Sequence, residues 1–175
     1  AAKDVNAIQP SVLDHGNGKL QLLARSRNRA IMESWSYDNG ETWWPLAKTS
    51  LPNNNSGTDA VTLKNGKHAL IYNHVLPPGN EAKGPRTPLN LSISKNGKTW
   101  YAAAILEDSP ISQYSYPSII QTSDGLIHVV YTWRRLKIKH AVIDPSKLKL
   151  KKIKKGVWPK MKGYPAPASG EITQD

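Results

Sequence analysis

Short apolar runs separated by tight glycine turns recur three times along the chain. The first pair of runs is Pro10-Ser11-Val12-Leu13 and Leu20-Gln21-Leu22-Leu23-Ala24-Arg25, joined through Gly16-Asn17-Gly18. The second is Asp59-Ala60-Val61-Thr62-Leu63 and His68-Ala69-Leu70-Ile71-Tyr72-Asn73, joined through Asn65-Gly66. The third is Pro117-Ser118-Ile119-Ile120 and Ile127-His128-Val129-Val130-Tyr131-Thr132, joined through Asp124-Gly125. Asn-Gly and Asp-Gly between apolar runs predict hairpins, because both central positions of the turn need a positive φ. A third strand follows each hairpin, at Ala30 to Trp35, Leu89 to Ile93 and Ile138 to Ile143, and a fourth is expected to begin near Trp43, Trp100 and Leu148. Four antiparallel strands at a period of roughly 50 residues make one propeller blade. The fold class is therefore all-β, a partial β-propeller of about three four-stranded blades. The blades fall at approximately 8–51, 57–108 and 114–158 of a single domain spanning 1–175, with 159–175 a tail or the start of a further segment. A β-sandwich also uses many short strands but needs no such repetition.

Between the third and fourth strands of the first unit lies Ser36-Tyr37-Asp38-Asn39-Gly40-Glu41-Thr42-Trp43. This fits Ser-x-Asp-x-Gly-x-Thr-Trp, an Asp-box. Asp38 is placed to accept backbone N–H groups of its own turn. Gly40 supplies a conformation closed to other residues. Trp43 is expected to bury a large surface at the start of the next strand. The second unit carries a degenerate copy, Lys95-Asn96-Gly97-Lys98-Thr99-Trp100, with Lys95 read against Asp38 and Ile93 against Ser36. The third unit has Asp144-Pro145-Ser146 and no box.

With these residues the chain resembles the sialidase superfamily, specifically its bacterial-neuraminidase-repeat proteins. Further matching stretches are Ser56-Gly57-Thr58-Asp59-Ala60-Val61, Tyr72-Asn73-His74, Tyr114-Ser115-Tyr116-Pro117-Ser118 and Tyr131-Thr132-Trp133-Arg134-Arg135. The resemblance implies six blades in a full ring. Half a ring here implies either a longer protein or a homodimer that completes the propeller. It also implies a glycan-processing site of three arginines on a carboxylate, an Asp acid/base and a Tyr–Glu nucleophile; Arg27, Arg134 and Asp59 match that set by face alone.

Strand order sorts the loops. Glycine turns and Asp-boxes share one face of a propeller, and the second-to-third loops and the blade lead-ins share the other. The second face collects Arg25, Arg27 and Arg29; Asn73 and His74 in the loop running to Arg86; Trp133, Arg134 and Arg135; and the lead-ins Asn53 to Asp59 and Ser112 to Tyr116. Loops over a rigid scaffold are where function concentrates. Candidate catalytic residues are Asp59, His74 and Tyr116. Candidate substrate-binding residues are Arg25, Arg27, Asn73, Gln113, Tyr114, Trp133, Arg134 and Arg135. Arginine matches carboxylates with a two-pronged fork, and histidine titrates nearest neutrality. Each has a plainer reading: surface arginines at strand ends, a hydrogen-bonded loop histidine, an Asx turn at Asp59 and ordinary strand packing at Tyr116.

Composition narrows the chemistry. The 175 residues contain no cysteine, which excludes disulfides and thiolate chemistry. No metal-ligand spacing joins His15, His68, His128 and His140, so neither metal nor cofactor is expected. No apolar stretch approaches the roughly 20 residues of a membrane span. The net charge of +11 gathers in Lys147-Leu148-Lys149-Leu150-Lys151-Lys152 and on to Lys160 and Lys162. Leu alternating with Lys reads as an outer strand with one wet face, and no nucleic-acid partner is expected. The partner is a carbohydrate, and the location secreted or periplasmic. Hydrolysis of an acidic or deoxy-sugar glycan is the leading function. The alternatives are a lectin-like propeller without catalysis and a lyase acting on uronates.

Overall fold

The computed structural model describes residues 6–111 and 113–161, with the backbone of 171–172. Three antiparallel sheets stand side by side. The first comprises β1 (Ala7–Asp14), β2 (Leu20–Ser26), β3 (Ala30–Ser36) and β4 (Ala47–Pro52) in that order. The second comprises β5 (Asp59–Thr62), β6 (His68–Tyr72), β7 (Leu89–Ser94) and β8 (Trp100–Glu107). The third comprises β9 (Tyr114–Gln121), β10 (Ile127–Trp133) and β11 (Lys137–Ile143). Within each sheet sequence order equals spatial order, and β1, β5 and β9 lie against one another along the axis. These are propeller blades, as the repeat predicts.

The middle blade explains its own sequence. β6 and β7 are buried along their whole length. Leu70 and Tyr72 pack with Leu23, Ile31 and Leu51 of the first blade. Ala69 and Ile71 pack with Ile119, Val129 and Tyr131 of the third. A strand covered on both faces reads as a continuous apolar run rather than an alternation.

The fourth strand expected near Leu148 is absent. After Ile143 the chain makes a 3-10 turn at Pro145–Lys147 and leaves the third blade. The short β12 (Lys151–Lys152) then pairs with Tyr101 and Ala102 at the outer edge of the second blade. In its place β13 (Glu171–Ile172) pairs with β11. Leucine-lysine alternation gives a strand only where an edge is free, and here it joins the outer edge of β8. Ile153 anchors the crossing by packing into the core between the first two blades. Of the segment 159–175, residues 162–170 and 173–175, Lys162 among them, lie outside the described residues, as does Ser112.

The Asp-box is a turn lock. Asp38 accepts from the Ser36 hydroxyl at 2.7 Å, the Thr42 amide at 2.9 Å and the Thr42 hydroxyl at 2.5 Å. Those hydrogen bonds, Thr42's above all, hold its carboxyl down at about 2. The second box is in fact one residue shorter than the first. Ser94 takes the part of Ser36, accepting from the Gly97 amide at 2.9 Å, and Asn96 that of Asp38, accepting from Thr99 N at 2.8 Å. An asparagine oxygen suffices because only acceptors are needed. Both tryptophans donate Nε1–H to the box glycine's carbonyl, Trp43 to Gly40 at 3.0 Å and Trp100 to Gly97 at 3.1 Å. Trp100 is buried, whereas Trp43 is 37% exposed, contrary to expectation. Trp35 instead supplies the buried ring of the first blade.

Candidate functional site

Two inner strands break register at the same end of the propeller. β1 slips between Ile8 and Pro10, and β9 slips opposite Val130 and Thr132. The residues at these irregularities, Gln9 (φ 55°) and Tyr116 (φ 51°), adopt left-handed backbone. Such a conformation is uncommon for a bulky residue, and bulges beside functional sites re-aim side chains. The lead-in to the middle blade passes between the two. A Cβ on Gly57 would stand 3.2 Å from Tyr116 Cδ1 and 3.7 Å from Gln9 Oε1. Glycine there permits the close approach.

Two guanidinium groups complete the arrangement. Arg25 is buried, and its Nη1 donates to Gln9 Oε1 at 2.8 Å. Its Nε and Nη2 donate to Asn55, with the Nη2 to Oδ1 distance 3.1 Å. The Arg86 guanidinium carbon lies 5.0 Å from the Tyr116 ring centroid, and its Nη1 donates to Ser115 Oγ at 3.4 Å. Hydrogen bonding and positive charge from Arg86, then the same from Arg25, hold the Tyr116 phenol below its ordinary value. The ring itself is 47% exposed. A solvent-open phenol, eased toward phenolate by two cations, can bind an anion's counter-groups, accept a proton or attack an electrophilic carbon.

A second cationic group stands on the β10–β11 turn. Arg134 and Arg135 carry φ values of 52° and 58°, a turn that ordinarily selects Asn-Gly. Arg134 lies 4.4 Å and Lys137 4.8 Å from the Trp133 ring centroid. Arg134 Nη2 donates to Ser109 Oγ at 3.0 Å, and Arg135 Nε donates to Gln113 Oε1 at 2.9 Å. A cleft of about 310 Å³ between Tyr116, Thr132, Arg135 and Lys137 connects this turn with the tyrosine.

The remaining candidates are structural in position. Asp59 joins all three blades: Oδ1 accepts from Ser11 Oγ of β1 at 2.7 Å, and Oδ2 from the Ile119 amide of β9 at 2.9 Å. It is neither a free acid nor an isolated Asx turn. His74 is enclosed. Its Nε2–H donates to the Gly156 carbonyl at 2.8 Å, so Nδ1 accepts from the Tyr72 hydroxyl at 2.6 Å. Trp158 packs on it with ring centroids 5.1 Å apart. Burial pulls its pKa down to about 4 and keeps it neutral. Asn73, fully buried, donates to Pro88 O and Tyr114 O and so links the second and third blades. Tyr114 is also buried, its hydroxyl accepting from Arg134 Nε at 3.3 Å. Arg27 is exposed on the β2–β3 loop, and Arg29 braces the long loop by donating to Pro77 O and Glu81 O. Arg86 and Gln9 were not singled out by sequence pattern. The face argument contains both, but no local signal separates Arg86 from other residues of a long loop.

A model of the BNR repeat-like domain matches residues 1–129. No curated protein matches the chain. Among solved structures, the K499G mutant of NanB sialidase from Streptococcus pneumoniae aligns over 82% of this chain and 24% of its own, at 19% identity and TM-score 0.60. The intramolecular trans-sialidase from Ruminococcus gnavus, in complex with oseltamivir carboxylate, aligns over 91% of this chain and 35% of its own, at 18% identity and TM-score 0.58. The Bacillus subtilis arabinanase Arb43A aligns over 86% of this chain and 56% of its own, at 16% identity and TM-score 0.55. Likeness at these identities is likeness of fold, and the chain spans about a quarter of the first of these structures.

Proposed function

The chain belongs to the family of BNR repeat-like domains, and from that premise we propose that it contributes the site of a glycoside hydrolase acting on acidic glycans, with Tyr116 as the reacting group. The observation that carries this reading is the exposed Tyr116 phenol with the Arg86 guanidinium 5.0 Å from its ring, both Arg86 and Arg25 lowering its pKa. In this account the sugar's carboxylate pairs with an arginine fork, as planar bidentate geometry favours. The Tyr116 oxygen attacks the anomeric carbon as the glycosidic C–O bond breaks, the departing oxygen takes a proton from water and leaves as an alcohol, and a second water then hydrolyses the tyrosyl glycoside, releasing the sugar and restoring the phenol. Asp59 is excluded from the proton transfers because its oxygens are engaged across the blades. His74 is excluded because both ring nitrogens are engaged.

A second reading, elimination from a uronate, draws on one feature. Both side chains that lower the Tyr116 pKa, Arg86 and Arg25, are cationic. A phenolate poised by arginine can remove the proton beside a carboxylate whose charge the other arginine neutralises, and the glycosidic oxygen then departs. A polymeric glycan substrate places the site of action outside the cytoplasm.

The test is turnover of fluorogenic sialosides and of oligouronates. Hydrolysis releases reducing ends alone, and elimination adds the ultraviolet absorbance of an unsaturated sugar. Tyr116→Phe is expected to reduce either turnover by about 100-fold or more. Tight glycan binding with no turnover in any assay would overturn the catalytic reading and leave a lectin-like one.

A further inference from the structure

The opposite end of the first blade holds exposed aromatic surface that neither the fold nor the proposed site uses. Tyr37 is 54% exposed and Trp44 62% exposed, with ring centroids 5.2 Å apart. The buried Trp35 continues the row inward, 6.5 Å from Tyr37 and nearly parallel to it. Two ammonium groups flank it. Lys19 Nζ lies 4.7 Å from the Trp35 ring and 5.7 Å from that of Tyr37, and Lys98 Nζ lies 4.8 Å from the Trp35 ring.

The backbone beneath these rings is anchored. Tyr37 sits inside the Asp-box, between Ser36 and Asp38, whose mutual bonds, with the Gly40 amide donating to Ser36 Oγ, fix the turn. Trp44 is fixed through its backbone: its amide donates to Trp35 O at 2.8 Å, and its carbonyl accepts from Ser34 Oγ. Keeping two large rings in water on a rigid turn forgoes their burial. The anchored backbone means that little main-chain ordering entropy remains to be lost when something lands on them.

The size of the patch selects the occupant. At these exposures Tyr37 and Trp44 offer roughly 300 Å², against the roughly 800 Å² per partner of a stable protein interface. That area suits one or two sugar rings. The C–H face of a pyranose lies on an aromatic ring, while its hydroxyl and carboxylate groups meet Lys19; Lys98 Nζ is already paired with Glu33 Oε1 at 2.6 Å and holds the rim of the patch. We propose that Tyr37 and Trp44 form a second, non-catalytic carbohydrate platform on the Asp-box face, which takes a pyranose of an acidic glycan chain.

The proposal does not depend on Tyr116 and is tested by binding alone. The whole chain is titrated with trigalacturonate and with a neutral trisaccharide of similar size, following the indole Nε1–H resonances by NMR. The Trp44 resonance is expected to move with trigalacturonate, with a dissociation constant in the millimolar range. Trp44→Ala and Tyr37→Ala are expected to weaken binding at this site by about tenfold, with thermal unfolding unchanged because both rings are exposed. Tyr116→Phe is expected to leave the Trp44 response intact, which separates this proposal from the catalytic one. An unmoved Trp44 resonance would overturn the platform. Equal response to the neutral sugar would overturn the acidic class. Concentration-dependent self-association abolished by Trp44→Ala, without any sugar response, would overturn the carbohydrate assignment in favour of a protein contact.

Discussion

Replacing Asp59 by alanine removes a side chain that hydrogen-bonds to all three inner strands. Its carboxylate accepts from Ser11 Oγ at 2.7 Å, from the Ile119 amide at 2.9 Å and from its neighbour's Ala60 amide at 2.9 Å. Charge-assisted bonds contribute about 1.5–3 kcal/mol each, and a donor left unpaired away from water costs about 1–3 kcal/mol. Asp59 is only part-buried, so the lower end applies. Two inter-blade bonds then amount to about 3 kcal/mol, a large share of the roughly 5–15 kcal/mol that stabilises a domain. With a urea slope of about 2 kcal/mol per molar, the denaturation midpoint is expected to fall by about 1.5 M. Asp59→Asn keeps one acceptor and turns an NH₂ toward the other donor, so it is expected to lie between the two. A catalytic acid would behave differently: Asp59→Asn would abolish turnover and leave the midpoint in place. Asp59→Ala within about 0.5 kcal/mol of the parent would refute the bridging role.

Three further outcomes follow from the same geometry. His74 is neutral when folded, with a pKa of about 4 against the ordinary 6.5. The unfolded chain therefore takes up the proton first as pH falls, so stability is intact above about 6.5 and declines toward pH 4 by about 3 kcal/mol. Urea midpoints measured across that range should show the decline, and His74→Gln should flatten its share of it. Gly97→Ala would put a Cβ 1.9 Å from Gln21 Oε1 at a φ of 70°, whereas Gly66→Ala, at 76°, meets nothing within 4 Å. Thermal unfolding should register about 1 kcal/mol for Gly66→Ala and at least twice that for Gly97→Ala. Gly57→Val would press on the Tyr116 ring, whose Cδ1 lies 3.2 Å from where a Cβ would stand, and should impair turnover more than it lowers the melting temperature.

The blades were legible because their signals are local. Glycine turns at Gly18, Gly66 and Gly125 each adopt positive φ, and the strands on either side alternate or run apolar according to which faces are covered. The Asp-box was legible for the same reason. Its shortened copy was not, because aligning the tryptophans without a gap set Lys95 against Asp38. Only the bonds show Asn96 in that role. The fourth strand of the last blade failed because the period-2 pattern around Leu150 says that a strand forms, not which edge it joins.

The site was half legible. Strand order gathers Arg25, Tyr116 and Arg134 at one end of the propeller, but it does not say which way each side chain turns. Arg25 turns inward to Gln9 and Asn55, and His74 turns beneath Gly156, carried there by a segment 82 residues distant in sequence. Tyr116 is exposed where β9 bulges, an irregularity with no residue signature beyond the proline that follows.

The central claim is that Arg86 and Arg25 poise Tyr116. Tyrosine labelled with ¹³C at Cζ reports the ionisation of each of the seven tyrosines separately, and Tyr116→Phe assigns the signal. Tyr116 is expected to titrate below the ordinary value of about 10, to return toward it in Arg86→Gln, and to shift when a uronate is added. A Tyr116 signal that titrates like a free surface tyrosine, unmoved by Arg86→Gln and by the sugar, would contradict the account.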